Sequence, residues 1–184
     1  MTNRRKVLAS LPALALASRP APAAEWTDPF ARSWRDSFLK HWQVTKDYTI
    51  AFADALPAED YGYKPVEVQR SYAEQLLHLG SANAAYMSAF NIKQQPARVT
   101  ATDKAAVRAY LVATFDYVSA VLGAMQEKDL IRRDLQFSSR IKPHSGMDLF
   151  MRAYMHTAHH RGQLVGYLRM KGITPPTWAF EPTA

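Results

Sequence analysis

Histidine spacing late in the chain is the first feature that could do chemistry. The segment Met155-His156-Thr157-Ala158-His159-His160-Arg161-Gly162-Gln163-Leu164 places His156 and His160 four residues apart. On a helix, side chains at that spacing lie one turn apart on a single face. Two imidazoles so arranged can bind one metal ion, as they do in helical zinc sites. The pair alone is a weak signal, because six histidines in 184 residues produce such a pair by chance in roughly one sequence in six.

A third histidine strengthens the metal interpretation. His78 lies in another predicted helix, in the segment Ala73-Glu74-Gln75-Leu76-Leu77-His78-Leu79. Its neighbours at helical spacing are small or apolar, so the ring is expected to face inward. A lone histidine there would be interpreted as a hydrogen-bonded core residue. Beside the pair His156 and His160, it predicts a three-histidine site, because helix bundles build metal sites from side chains on facing helices.

The remaining histidines are weaker ligand candidates. His159 lies about 100° around the helix from His160 and is expected to face a groove or solvent. His144 precedes a predicted helix cap, where a substrate-facing role stays open. His41 lies on the apolar stripe of the first predicted helix; packing or a hydrogen bond to a ligand ring is favoured there over a fourth ligand.

Each ligating ring also needs a partner for its second nitrogen. Gln163, one turn beyond His160, and Glu74, one turn before His78, are the candidates beside His41. Glu74 could equally serve only as a helix cap.

Three neutral imidazoles would leave a fourth tetrahedral position open to water or a small-molecule substrate, which is typical of a catalytic metal. Imidazole suits Zn²⁺, Ni²⁺, Fe²⁺ and Mn²⁺, so one divalent ion is predicted, with zinc or nickel favoured. Thr157 stands where an H-E-x-x-H protease carries glutamate, which argues against that class. The chain has no cysteine, which excludes thiolate ligands, disulfides and a cysteine nucleophile.

Hydrophobic periodicity predicts four helices that position these residues. The first is expected over 33–55, and the others begin at the capping patterns Ser71-x-x-Glu74, Thr100-x-x-Asp103 and Ser145-x-x-Asp148. The second ends near residue 90, and the fourth ends at Lys171-Gly172. Residues 127–144 are predicted to form a long loop. The pattern predicts an all-α protein, a four-helix bundle.

The first 24 residues are predicted to be an export signal rather than part of this bundle. A basic start, Arg4-Arg5-Lys6, precedes a short apolar run and the small-residue pattern Ala21-Pro22-Ala23. Asn3-Arg4-Arg5-Lys6-Val7-Leu8 also resembles the twin-arginine motif; an ordinary secretory signal is the alternative. Cleavage would lower the formal charge of +7 by four to +3. We therefore expect a periplasmic or secreted protein, residues 25–184, with a Pro-rich tail, without nucleic-acid binding or stable membrane insertion.

Several of these segments resemble the DinB/YfiT-like proteins, whose superfamily includes bacillithiol-type S-transferases and mycothiol-dependent maleylpyruvate isomerases. The resemblance rests on His78, on the run from His156 to Leu164, and on Tyr61-Gly62-Tyr63-Lys64-Pro65. It implies a four-helix bundle in up-down-down-up order that binds a divalent metal through His78, His156 and His160. The export signal departs from the cytoplasmic thiol transferases and argues against a thiol-transfer role.

The sequence therefore leaves three functions open. The first is a metal-dependent hydrolase or transferase, the second a non-catalytic metal-binding stress or accessory protein, and the third a structural bundle without metal. Arg161 is expected to form a surface salt bridge, with recognition of an anionic ligand as the alternative. The resemblance also suggests a homodimer, with Trp42 and Tyr48 as candidates for its face.

Overall fold

The computed structural model describes residues 25–178, and four α-helices make up its frame. They are α1 (Pro29–Ala55), α2 (Tyr72–Ser88), α3 (Lys104–Ala124) and α4 (Gly146–Met170). The long loop before α4 carries a short 3-10 helix, Glu127–Leu130, and one antiparallel bridge between Leu135 and His144. The all-α prediction is confirmed. The predicted export signal lies outside the described residues.

Side-chain caps set where the helices begin. The Ser71 hydroxyl accepts from the Glu74 N–H and the Glu74 carboxylate accepts from the Ser71 N–H, so the predicted capping box of α2 is present. The cap predicted at Thr100 is wrong, because the Asp103 carboxylate accepts from the Ala106 N–H at 2.9 Å and starts α3 there.

α1 also begins four residues earlier than its periodicity indicates. The Asp28 carboxylate accepts from the Ala31 N–H at 2.8 Å, and Pro29 occupies the first turn, where its missing N–H costs nothing. The fourth helix is capped as predicted, with the Ser145 hydroxyl accepting from the Asp148 N–H at 3.1 Å.

Contacts between helices fix the up-down-down-up order. α1 runs antiparallel to α3 and parallel to α4, while α2 runs parallel to α3 and antiparallel to α4. For α1, the contacts that show this are Trp42–Phe115 and Asp54–Arg108 with α3, and Phe38–Phe150 and Thr49–Arg161 with α4. For α2, they are Ser81–Tyr110 and Lys93–Tyr117 with α3, and Gln75–Gln163 and Asn83–Thr157 with α4.

Two surface predictions are corrected by burial. Trp42 is fully buried and its indole N–H donates to the Phe115 carbonyl at 3.0 Å, so it cannot contribute to a dimer face. Arg161 is also buried; it donates to the Thr49 hydroxyl at 3.2 Å and lies over the Tyr48 ring. Through these contacts the guanidinium joins α4 to α1, inside the bundle rather than on its surface.

α3 is long and apolar enough to cross a membrane by length and composition alone. Half of its most apolar stretch, 50%, is buried inside the bundle. Core helices pass the same test, and here the apolar face of α3 packs against α1 and α2.

Candidate metal centre

His78, His156 and His160 converge at the contact between α2 and α4. One ring nitrogen of each lies within 4.8 Å of the others. The Nε2 atoms of His156 and His160 are 3.0 Å apart, and the His78 ring centroid lies 5.1 and 4.6 Å from those two rings. The predicted convergence of the three histidines is confirmed.

Antiparallel packing of α2 and α4 brings this about. His156 and His160 are one turn apart on α4, so their rings meet edge to face, with a centroid distance of 4.2 Å and an interplanar angle of 61°. His78 faces both rings from the middle of α2. Thr157 and Asn83, both fully buried, hold the two helices together through a 3.3 Å hydrogen bond. The register of the interface therefore places the three rings, without a loop to position them.

Two glutamines surround the outer nitrogen of His160. The Gln163 Oε1 lies 2.8 Å from His160 Nδ1, and the Gln163 amide nitrogen lies 3.1 Å from His159 Nε2. The Gln163 Oε1 can only accept, so this contact suits the His160 tautomer that carries Nδ1–H and leaves the Nε2 lone pair directed toward His156. The Gln75 amide nitrogen from α2 donates to Gln163 Oε1 and also lies 2.7 Å from His160 Nδ1. That second contact suits the other tautomer, because an amide N–H can only donate.

The other two residues proposed to support the trio make different contacts. Glu74 is exposed and its carboxylate accepts from the Ser71 N–H at 2.7 Å, so it serves the helix cap. His41 lines an apolar groove between α1 and α4 with Trp34 and Tyr154, and none of the three histidines lines that groove.

His159 and His144 are also outside the cluster. His159 is exposed and contacts Gln163, as expected for a residue facing away from the trio. His144 Nδ1 lies 2.6 Å from the Asp148 carboxylate, and its ring stacks on Phe137 at 6.0 Å.

The three rings are held neutral. Burial, with smaller contributions from Arg70 and His160, lowers the pKa of His78 to about 4. Burial, with smaller contributions from His160 and His78, lowers the pKa of His156 to about 4 as well. The pKa of His160 is lowered mainly by burial, and the hydrogen bond with Gln163 opposes this shift. Neutral imidazole is the form that binds metal.

The cluster fits a metal ion in size and in chemistry. Three imidazoles around a tetrahedral zinc at ~2.0–2.1 Å would have nitrogens roughly 3.3 Å apart. The His156–His160 separation of 3.0 Å is close to this value, and the 4.8 Å limit on the other pairs requires only a small contraction. His156 Nδ1 is buried without a hydrogen-bond partner among the described residues, and buried polar atoms in that state are rare.

Two open clefts lie beside the cluster, and residues of the α1–α2 connection line both. One, the basic cleft, has a volume of about 550 Å³ and is lined by His78, Arg70, Lys64 and Arg98 among others. The second, of about 610 Å³, reaches Gln75 and Gln163. Val68, Gln69 and Arg70 line both. The site is therefore accessible to a small molecule.

Gln75 and Arg70 were missed as site residues by the sequence interpretation. Gln75 could have been found, since it is a polar residue on the inward face one turn before His78. Arg70 carries no such signal, because its place at the site depends on how the α1–α2 connection folds. That connection is anchored by Tyr61, which is buried and donates to the Ala53 carbonyl.

Comparisons with known proteins agree with this architecture. The model of the DinB family matches residues 30–182. A crystal structure of a DinB-like protein from Bacillus cereus is 19% identical, covers 78% of this chain and 97% of its own, and superposes with a TM-score of 0.66. A DinB-like protein, YjoA, from Bacillus subtilis is 18% identical, covers 80% and 99%, and gives 0.63. A comparison with curated proteins finds no match.

Proposed function

This chain belongs to the DinB family, and we propose that it is a divalent-metal-binding protein that acts as a metal-dependent hydrolase or transferase. One observation carries the proposal: nitrogens of His78, His156 and His160, from two helices, lie within 4.8 Å of one another beside open clefts. The preferred ions are zinc and nickel, because a set of three imidazoles suits both.

Different residues of the chain would have different roles at the site. His78, His156 and His160 would hold the ion in their neutral forms, and Gln163 would keep the His160 lone pair directed inward. An ion held by three imidazoles supplies Lewis-acid chemistry at a coordination position that the protein leaves open. The basic cleft and the second cleft would admit and orient the substrate.

A second candidate is a metal-binding accessory protein without turnover. It is favoured by the composition of the ligand group, which contains histidines and no carboxylate within the described residues. Glu74, the acid one turn before His78, is used in the α2 cap. Thr157 on α4 also takes the place of the glutamate that serves as general base in H-E-x-x-H sites.

Turnover distinguishes the two candidates. Zinc-loaded and nickel-loaded protein would be screened against esters, amides and thiol conjugates, with metal-free protein and the variant His160→Ala as controls. We expect turnover by a loaded form that is lost in both controls. Stoichiometric metal without turnover of any of these classes would contradict the enzyme proposal and leave the accessory role.

A further inference from the structure

Cationic side chains gather in the basic cleft beside His78. Lys64, Arg70 and Arg98 line this cleft, and the acids that line it are Glu67 and Glu74. The Glu74 carboxylate is engaged by the backbone at the start of α2. Three cations and two carboxylates line the cleft, which gives its lining a net positive charge.

These three cations are not paired with a carboxylate at contact distance in the described part of the chain. Over residues 25–178, Lys64, Arg70 and Arg98 have no ion pair and no side-chain hydrogen bond. Other arginines of the bundle do bind carboxylates: Arg108 holds Asp54 at 2.8 Å and Arg152 holds Asp148 at 2.9 Å. Single unpaired cations are common on surfaces, but three that line one concave cleft next to a candidate metal ligand are available to bind a ligand.

Arg70 connects the cleft to the metal centre. Its backbone carbonyl accepts from the Tyr167 hydroxyl at 2.6 Å, which fixes this part of the connection against α4. Arg70 lines the basic cleft together with His78, and it lines the second cleft together with Gln75 and Gln163, the two glutamines at His160. An anion bound by Arg70 in the basic cleft would therefore lie beside His78.

We propose that Lys64, Arg70 and Arg98 form an anion-binding subsite, so that the substrate is a small molecule carrying a carboxylate or phosphate group near its reacting group. This inference rests on the proposed function, because the reacting group is placed at the metal. The guanidinium fork binds either anion bidentately, and a cleft of about 550 Å³ has the size of a small-molecule site. Val68, 94% exposed at the rim, offers an apolar contact for the rest of the molecule.

The test compares charged and neutral metal-binding probes on the zinc-loaded full chain. Succinic acid monohydroxamate carries a free carboxylate, its phosphonate analogue carries a phosphate-like group, and butyrohydroxamate carries neither. We expect the charged probes to bind about tenfold more tightly than the neutral one, as for one charge-assisted hydrogen bond. The tighter of the two charged probes identifies the anion class.

Matched variants assign the effect to the subsite. The ratio of the affinity for a charged probe to the affinity for butyrohydroxamate should fall toward one in Arg70→Gln and in Arg98→Gln. It should stay unchanged in Arg133→Gln, because Arg133 is exposed and lies outside the cleft. A ratio that is near one in the unmodified chain, or that survives both cleft substitutions, would overturn the subsite while leaving the metal site intact.

Failure of the metal site itself would be recognised separately, since butyrohydroxamate would then not bind at all. In that case pyrophosphate binding to the metal-free chain decides the subsite. Binding that is lost in Arg70→Gln and kept in Arg133→Gln supports it, and no binding by the unmodified chain overturns it.

Discussion

His160 is held from both sides: its Nδ1 contacts Gln163 at 2.8 Å and its Nε2 faces His156 at 3.0 Å. The first contact suits the tautomer that carries Nδ1–H, and in that tautomer the Nε2 lone pair faces the centre of the cluster. His156 has no such support, since its Nδ1 is buried without a partner in the described part of the chain. Order within the cluster therefore depends mainly on Gln163.

Replacing Gln163 by Leu should weaken zinc binding about 10- to 100-fold, because His160 would lose its orienting acceptor. Competition with a chelator of known affinity measures this change. Gln43→Leu is the matched control, since Gln43 is exposed on α1 and donates to Asp47. Equal zinc affinity in Gln163→Leu and the unmodified chain would show that Gln163 does not support the ligand.

Neutral rings should make metal binding insensitive to pH near neutrality. With the pKa of His78 and of His156 at about 4, protons compete with zinc only well below pH 6. Calorimetry in buffers of different ionisation enthalpy should therefore detect almost no proton release from these rings at pH 6.5. Release of one or more protons per zinc at that pH would contradict the lowered pKa values.

The lowered pKa values of these histidines should also make the stability of the metal-free protein depend on pH. Histidines of the unfolded chain take up protons near pH 6.5, whereas the folded rings remain neutral until about pH 4. The unfolded state therefore binds more protons in this window, and metal-free protein loses stability as the pH falls through it.

For single residues, the sequence predicts the three histidines of the cluster better than it predicts the residues around them. Spacing on one helix identifies His156 and His160, and an inward position on another identifies His78. Arg161 was misjudged because its burial against Thr49 and Tyr48 depends on packing between α1 and α4. Local periodicity contains no information on that pairing.

Among the elements, α4 carries two of the three rings and receives the long loop at its first turn. Gly146 begins this helix, and its N–H donates to the Arg132 carbonyl at 3.2 Å. A Cβ there would lie 2.0 Å from the Asp129 carbonyl oxygen. The helix start and the 127–144 loop are thus packed without room for a side chain.

Gly146→Ala should therefore lower the free energy of unfolding by about 1–3 kcal/mol, because backbone atoms must move to accept the methyl group. Urea unfolding of metal-free protein measures this. Gly162→Ala in the same helix is the control, since nothing lies within 4 Å of its added Cβ, and it should gain about 0.5–1 kcal/mol. Equal stability of the two variants would contradict this packing.

Element boundaries were predictable where a side chain caps the backbone. Ser71 with Glu74, and Ser145, start α2 and α4 as their patterns indicate. At the start of α3 two residues of capping type, Thr100 and Asp103, compete, and pattern alone does not decide between them. The paths of the connections between helices depend on contacts between residues that are far apart in the sequence. For this reason the position of Arg70 at the site was not predicted.

For the molecule as a whole, stability and metal binding should be separable. The core is a continuous apolar cluster contributed by all four helices, centred on residues such as Trp42, Phe115 and Phe150. The three histidines lie at the α2–α4 interface beside open clefts. Apolar burial, rather than the ion, therefore supplies most of the stability, and loss of one ligand should leave the bundle folded.

Metal content per chain tests the central claim most directly. After equilibration with buffered zinc and removal of excess, elemental analysis should give one ion per unmodified chain, one for His159→Ala and close to none for His160→Ala. The far-ultraviolet circular dichroism of all three should be the same. A metal-free unmodified chain, or zinc retained in full by His160→Ala, would contradict a site built from His78, His156 and His160.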